Sequence, residues 1–354
     1  MTALVSGWPG AAPRTELDGL AVRRAGGRHT FPLWAPLVYR RLRDRFDLII
    51  EDLNKVPVFS PLWSRCPVVL LVHHLFGATA FEQAGPVLAA GTWLLERPLA
   101  RVYGGVPVEA VSESTAADLV ERGFHRERIE VIPNGVDVES YAFAPEDERF
   151  PEPTLLYLGR LERYKRVDLI VRAVGRLADD GVAARLIIAG QGPMASSLQQ
   201  LRAELGLDAR VELHGFVSEE EKRRLMRRSW VHVLTSSKEG WGITVLEAGA
   251  SGTPTVASDS PGLRDAVVHG RTGLLVPHGD VAALAAALRS LLRDANLRQR
   301  LGLQARAFAA EHSWERAADR TEAHLAAVLR PAPRAPAKAA GNTGSPGSNH
   351  RSAT

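Results

Sequence analysis

From residue 154 onward, short apolar runs alternate with longer stretches whose apolar positions recur every three or four residues. The runs Leu155 to Leu158, Leu186 to Ala189, Val211 to Leu213, Val231 to Leu234, Thr255 to Ala257 and Leu274 to Val276 are strand-length and rich in Val, Leu and Ile. Strands alternating with amphipathic helices predict a parallel sheet covered on both faces. Two further helices, over residues 295 to 311 and 313 to 329, close this half, with Ser313 as N-cap of the second.

The first half is less regular. Thr2 to Ser6 and Leu20 to Arg23 read as short strands around a loop rich in Gly and Pro. A helical stretch from Pro32 leads to strands at Phe46 to Ile50 and Pro67 to Val72, the latter ending at His73 and His74. Amphipathic segments at Val87 to Val102 and Glu113 to Arg122 bracket a strand at Val106 to Val111, and Ile129 to Ile132 gives another. The expected division is a first domain over 1 to 143 and a linker rich in Pro and acidic residues over 144 to 153. A second domain then covers 154 to 312, a closing helix 313 to 330, and a disordered tail of Pro, Ala, Gly, Ser and Asn 331 to 354.

Composition narrows the function classes. At 354 residues with 45% hydrophobic side chains the chain can fill two cores. One cysteine, Cys66, fits a reducing compartment, and no apolar run approaches the roughly 18 residues that span a bilayer, so the cytoplasm is expected. The net charge of +4 comes from scattered arginines without an aromatic stripe, which argues against nucleic acid and for anionic small ligands or an anionic membrane surface.

The candidate chemistry sits where loops leave the carboxyl ends of the strands. Thr235 to Pro254 reads as strand end, loop and helix, with Glu239 in the loop, Gly242, Ile243 and Thr244 at the helix start, and Glu247 beyond. Such a helix end favours a phosphate, and carboxylates suit sugar hydroxyls, so the stretch reads as a sugar-nucleotide site. The alternative is a capping box in which Glu247 serves only the helix end opened by Thr244. Arg160, Arg163, Lys165 and Arg166 crowd the unfavourable end of a helix dipole, which suggests a bound diphosphate, or else a solvated basic loop. Gly190 and Gly192 follow the next strand, where a tight turn into a helix is the better explanation on spacing alone. His73 and His74 end a strand on opposite sides, as structural or cleft residues. No Asp-x-Asp stands at a strand end and no Cys/His group has zinc spacing, so no metal is expected.

Glu239 and Glu247 resemble the E-x7-E signature of retaining glycosyltransferases of family 4. The resemblance implies a GT-B architecture, two facing Rossmann-like domains with the last helix returning to the first. It implies metal-independent transfer of a sugar from a nucleoside diphosphate to a glycan, lipid or small-molecule hydroxyl, with no cofactor. By residue, it implies that Arg160 and Lys165 hold the diphosphate, Glu239 and His73 contact the transferred sugar, and Glu247 contacts the ribose. Gly190, Gly192, Gly242, Ile243 and Thr244 then line the donor, the backbone at Val217 meets the base, and His74, Ser112 and Asn134 line the cleft. Such chains normally begin with a strand and a Gly-rich loop, whereas this one opens on a fragment like the second strand, so the first domain is expected to be incomplete at its N-terminus. Asp265 stands where the family often has Glu. A sugar-nucleotide-binding protein without catalysis and a sugar-nucleotide epimerase are the rival expectations. The apolar stretch with Trp93, Leu94, Leu95, Leu99 and Val102 beside Arg97 and Arg101 is a candidate membrane contact.

Overall fold

The computed structural model describes residues 1–42, 45–53, 56–77, 85–143 and 145–330. The expected tail at 331 to 354 lies outside the described residues. Among the described residues, three parallel or mixed sheets organise the chain. Strands β1 (Thr2–Ser6), β2 (Arg14–Leu17) and β3 (Leu20–Ala25) form the first sheet, β1 parallel and β2 antiparallel to the central β3. Strand β2 lies within the stretch expected as loop and completes a hairpin with β3. Its turn, Asp18-Gly19 with positive φ at both positions, is the Asp-Gly hairpin signal, and it sets the register Leu17 opposite Leu20.

After α1 (Phe31–Arg40) comes the sheet of the first domain, β4 (Ile49–Leu53), β5 (Val68–Val72), β6 (Val108–Ala110) and β7 (Ile129–Val131), paired in that order and all parallel. β4 lies three residues beyond the expected start, because it carries the buried Glu51 that hydropathy alone does not place in a strand. Glu51 accepts hydrogen bonds from the N–H groups of Val58 and Ser60 and from the Tyr103 hydroxyl, at 2.8, 3.0 and 2.7 Å. The expected helix over 87 to 102 is two helices, α2 (Pro86–Glu96) and α3 (Leu99–Tyr103), separated at Pro98, whose ring cannot continue the ladder. Helix α4 (Glu113–Glu121) follows β6.

The second domain has a six-stranded parallel sheet in the order β10-β9-β8-β11-β12-β13, built from β8 (Thr154–Leu158), β9 (Arg185–Ala189), β10 (Val211–Gly215), β11 (Val231–Leu234), β12 (Thr255–Asp259) and β13 (Gly273–Pro277). The order reverses at β8, so the crevice beside β8 and β11 is where a ligand of such a sheet sits. Helices α5 (Val167–Asp179), α6 (Ala195–Glu204), α7 (Glu219–Arg228), α8 (Ile243–Ala250), α9 (Leu263–Ala266), α10 (Val281–Arg293) and α11 (Ala295–Ala310) complete it. Helix α5 buries seven of its side chains, among them Ile170, Val171 and Leu177. The run of small residues Ala248 to Gly252 has a packing cause. A Cβ on Gly302 of α11 would fall on the Gly252 carbonyl, and one on Gly249 would lie 2.9 Å from the Ala305 carbonyl.

The segment read as a linker is strapped to the second domain. Buried Arg149 donates to the carbonyls of Ser229 and Gly252, Arg298 pairs with Glu146, and Trp230 Nε1 donates to the Phe150 carbonyl at 2.8 Å. The chain crosses between domains earlier, where the Val136 N–H donates to the His312 carbonyl at 2.9 Å and Val136 bridges Ser313. From there α12 (Trp314–Leu329) lies on the first domain, its His324 Nδ1 2.8 Å from Glu109 Oε1 and Arg320 2.7 Å from Glu130.

Candidate active site

The loops after β8 and β11 are stitched together, and the stitching brings the candidate charges side by side. The Thr235 hydroxyl donates to the carbonyls of Lys165 and Arg166 at 3.1 and 2.8 Å, and the Ser237 N–H donates to the Tyr164 carbonyl at 2.9 Å. Lys165 Nζ then stands 2.5 Å from Glu239 Oε1, both side chains 14% exposed. Arg160 is exposed beside them and reaches the Tyr164 hydroxyl at 3.3 Å, while the Tyr157 hydroxyl fixes the Arg160 carbonyl at 2.8 Å. Gly190 and Gly192 brace this loop from behind. A Cβ on Gly190 would fall on the Gly159 carbonyl, so the two backbones touch only because glycine is there.

Helix α8 starts after Gly242, its N-cap in the left-handed region with no side-chain cap. Ile243 and Thr244 therefore form the first turn, and Glu247 lies too far along to close a capping box with Thr244. Glu247 instead accepts a hydrogen bond from Lys222 Nζ of α7 at 3.0 Å. Val217 packs half-buried into the apolar cluster at the junction of the domains, with Val136, Tyr141, Trp241 and Leu246, while Phe216 before it is 79% exposed.

The first domain closes the other side. A Cβ on Gly240 would fall on the His73 carbonyl, so the loop carrying Glu239 touches the end of β5 through bare backbone. Lys238 Nζ pairs with Asp118 Oδ2 of α4 at 2.6 Å, and Asp265 Oδ2 accepts from the Ser114 N–H at 3.3 Å. Burial works against the Asp118 charge, but hydrogen bonds from Arg122 and Lys238 outweigh it and hold its pKa below the ordinary carboxylate value. The two histidines divide. His73 Nε2 lies 3.6 Å from Asp52 of its own domain. The His74 imidazole is lowered to about 4 by burial first and then by Lys238, with Glu239 and Lys165 also acting on it. Of the remaining candidates, Ser112 is fully buried as the N-cap of α4, accepting from the Thr115 N–H at 3.1 Å, and Asn134 lies half-buried in the crossover loop.

Lys222, Tyr141, Lys238 and Asp118 carried no motif. Lys222 sits in a run of glutamates and arginines that reads as any solvated helix face, and only the fold turns it onto Glu247. Among the described residues, no group of three or more His, Cys, Asp or Glu side chains is arranged to hold a metal ion, and no helix is long and apolar enough to cross a membrane.

Two family models divide the chain where it crosses between domains. "Glycosyltransferase Family 4" matches residues 2–140 and "Glycosyl transferases group 1" matches residues 142–308. The chain is 35% identical over 274 residues to a D-inositol 3-phosphate glycosyltransferase of Nocardia farcinica, covering 71% of this chain and 60% of that protein. Sucrose-phosphate synthase of Thermosynechococcus elongatus superposes with a TM-score of 0.77 at 21% identity, over 93% of this chain and 88% of the other. Anabaena HepE in complex with UDP-glucose superposes with a TM-score of 0.72 at 19% identity, over 87% and 86%. The fold is accordingly of the GT-B type.

Proposed function

The chain belongs to family 4 of the glycosyltransferases, and on that premise we propose that it moves a sugar from a nucleoside-diphosphate sugar to a hydroxyl acceptor with retention at the anomeric carbon. The observation that carries the reading is the Lys165–Glu239 pair, 2.5 Å apart beside Arg160 at the switch point of the parallel sheet.

In this reading the donor diphosphate lies between the Arg160/Lys165 loop and the first turn of α8. The two cations and the helix end balance the charge that grows on the departing diphosphate, as an oxyanion hole balances an alkoxide. Lys165 exchanges Glu239 for phosphate oxygens, which releases the Glu239 carboxylate to accept hydrogen bonds from sugar hydroxyls. Glu247 faces the ribose. His74, beside Glu239 and with its pKa lowered to about 4, meets the sugar as a neutral imidazole near pH 7, while His73 serves the acceptor side with Asp52. The diphosphate needs no divalent ion because Arg160 and Lys165 take its charge. The acceptor is a glycan, a lipid or a small alcohol. Leu33, Trp34 and Leu37 on α1 are exposed near Arg40 and Arg41, and Trp93 and Leu94 on α2 are exposed with Arg97 stacked over Trp93 at 3.9 Å, a surface suited to anionic lipid. Leu99 is excluded from that surface, being fully buried in the first-domain core.

Product analysis with UDP-, GDP- and ADP-sugars and mixed acceptors, with and without EDTA, tests the proposal. A glycosylated product formed in EDTA supports it. An interconverted donor would make the protein an epimerase, binding without turnover would make it a sugar-nucleotide receptor, and abolition by EDTA would sink metal independence.

A further inference from the structure

Glu247 is gripped from two sides, and neither grip was visible in the sequence. From α7, Lys222 Nζ donates to Glu247 Oε1 at 3.0 Å and to Glu219 Oε2 at 2.6 Å. The Lys222 and Glu247 side chains are only 14% and 12% exposed, so this is a sheltered contact and not a surface pair free to rearrange. From the crossover between the domains, buried Tyr141 sets its hydroxyl against Glu247 and Lys222, with its ring 6.0 Å from the ammonium. Burial works against the charge of Lys222, but hydrogen bonds to Glu219 and Glu247 outweigh it and lift its pKa above the ordinary lysine value. Glu219, 71% exposed, anchors the far side of the ammonium.

A carboxylate discriminates between vicinal hydroxyls only if its oxygens are held at a fixed angle, since a freely turning carboxylate meets water as well as it meets a sugar. Resting on the donor orientation proposed above, we propose that Lys222 is a positioning residue that fixes the Glu247 carboxylate against the ribose of the donor, with Tyr141 completing the grip from the domain crossover. The contact lies one helix turn or more beyond the reacting end of the site, at Ile243 and Thr244. Its loss weakens ground state and transition state alike.

Titration calorimetry with UDP, 2′-deoxy-UDP, 3′-deoxy-UDP and inorganic pyrophosphate tests this on wild type, Lys222→Met, Lys222→Arg and Tyr141→Phe. Loss of a buried charged hydrogen bond predicts that Lys222→Met weakens UDP by about tenfold or more. Pyrophosphate, which lacks ribose, should bind Lys222→Met as it binds wild type, which also reports a folded site. The preference for ribose over deoxyribose should collapse in Lys222→Met and largely return in Lys222→Arg, while Tyr141→Phe should show a smaller loss of the same kind. With a confirmed donor, KM should rise and kcat at saturation hold. Undiminished ribose preference in Lys222→Met, or equal weakening of UDP and pyrophosphate, overturns the assignment. A wild type that binds none of UDP, GDP, ADP and pyrophosphate sinks the donor site itself, and with it this inference.

Discussion

The two domains share a parallel-sheet plan and finish it differently. The second domain buries both faces of its six-stranded sheet: Leu155, Tyr157, Leu186 and Val233 are fully buried in one core cluster and Leu156 and Ile187 in the other, and large apolar side chains open to solvent on it are few, chiefly Phe216 and Leu303. The first domain packs a smaller core around Leu70, Val72, Leu99 and Tyr103 and leaves Trp8, Leu33, Trp34, Leu37, Ile50, Leu62 and Leu94 exposed. The difference separates two tasks. A rigid, closely packed domain holds charged groups to the fraction of an ångström that diphosphate recognition needs, while a domain with uncommitted apolar surface is suited to meeting something other than water.

The contrast breaks most directly in the core. Ile170→Ala removes buried methylenes from the packed face of α5 and should cost about 2–5 kcal/mol, read as a fall in the denaturant midpoint of the second domain. A cost below about 0.5 kcal/mol, the range of ordinary surface changes, would mean that this core is no tighter than the first domain's surface.

The site of the second domain gives the next largest effect. Lys165→Ala should lower kcat by about 10²-fold or more, by analogy with deletion of an oxyanion-hole donor. Glu239→Gln should act on sugar positioning, changing kcat/KM for sugars that differ in hydroxyl configuration more than it changes diphosphate affinity. Wild-type turnover in both variants would remove the loop after β8 from the mechanism.

Legibility followed the same division. All six strands of the second domain were readable, because buried parallel strands appear as continuous apolar runs set between amphipathic helices. In the first domain, β4 was displaced in the reading by Glu51, whose burial is compensated by hydrogen bonds from residues up to 52 positions away, information no local window contains. The acidic, Pro-rich stretch reads as a linker from composition, and its fastening to the second domain through the buried Arg149 guanidinium rests on contacts no local window contains. Within the candidate site, Glu239 and Lys165 are legible as candidates because both follow strand ends. Lys222 and Tyr141 are not, because their role exists only through α7 and the crossover. For the histidine pair, alternation said that the two rings point apart but not which one meets the second domain.

Acidification compares a core histidine with a cleft histidine. His232 on β11 is fully buried, bonded through Nδ1 to the Thr255 hydroxyl at 3.1 Å, and burial lowers it to about 3. His74 is lowered to about 4, by burial and then Lys238. Both folded-state values lie below the ordinary 6.5, so the unfolded chain takes up protons first as pH falls. Stability is therefore full above about 6.5 and declines toward pH 3 for His232 and pH 4 for His74. In a pH series of thermal melts, His232→Leu should flatten the acid limb from about pH 6.5 down to about 3, and His74→Asn should flatten it from about 6.5 down to about 4. An unchanged slope in His232→Leu would mean that other groups govern acid unfolding.

The smallest effect on stability belongs to the exposed face of the first domain, where the interest lies in binding. Leu33 is 73% exposed and Leu37 50%, so Leu33→Ser with Leu37→Ser removes little buried area and should leave stability within about 0.5 kcal/mol of wild type. The same residues lie on one helix with Trp34, and α1 carries Arg40 in its last turn and no acidic residue in its first. Exposed apolar side chains on a helix with a basic last turn suit a lipid interface, where rings and aliphatic tips enter the headgroup layer and guanidinium groups meet phosphate. Wild type should therefore cosediment with vesicles containing phosphatidylglycerol, less so as salt is raised, and the double serine variant should lose most of that binding while keeping donor turnover. If the variant cosediments like wild type, α1 is not the contact, and Trp93→Ala with Leu94→Ala asks the same of α2. If wild type ignores anionic vesicles at low salt, the exposed apolar face has another occupant, and the second task of the first domain is not membrane contact.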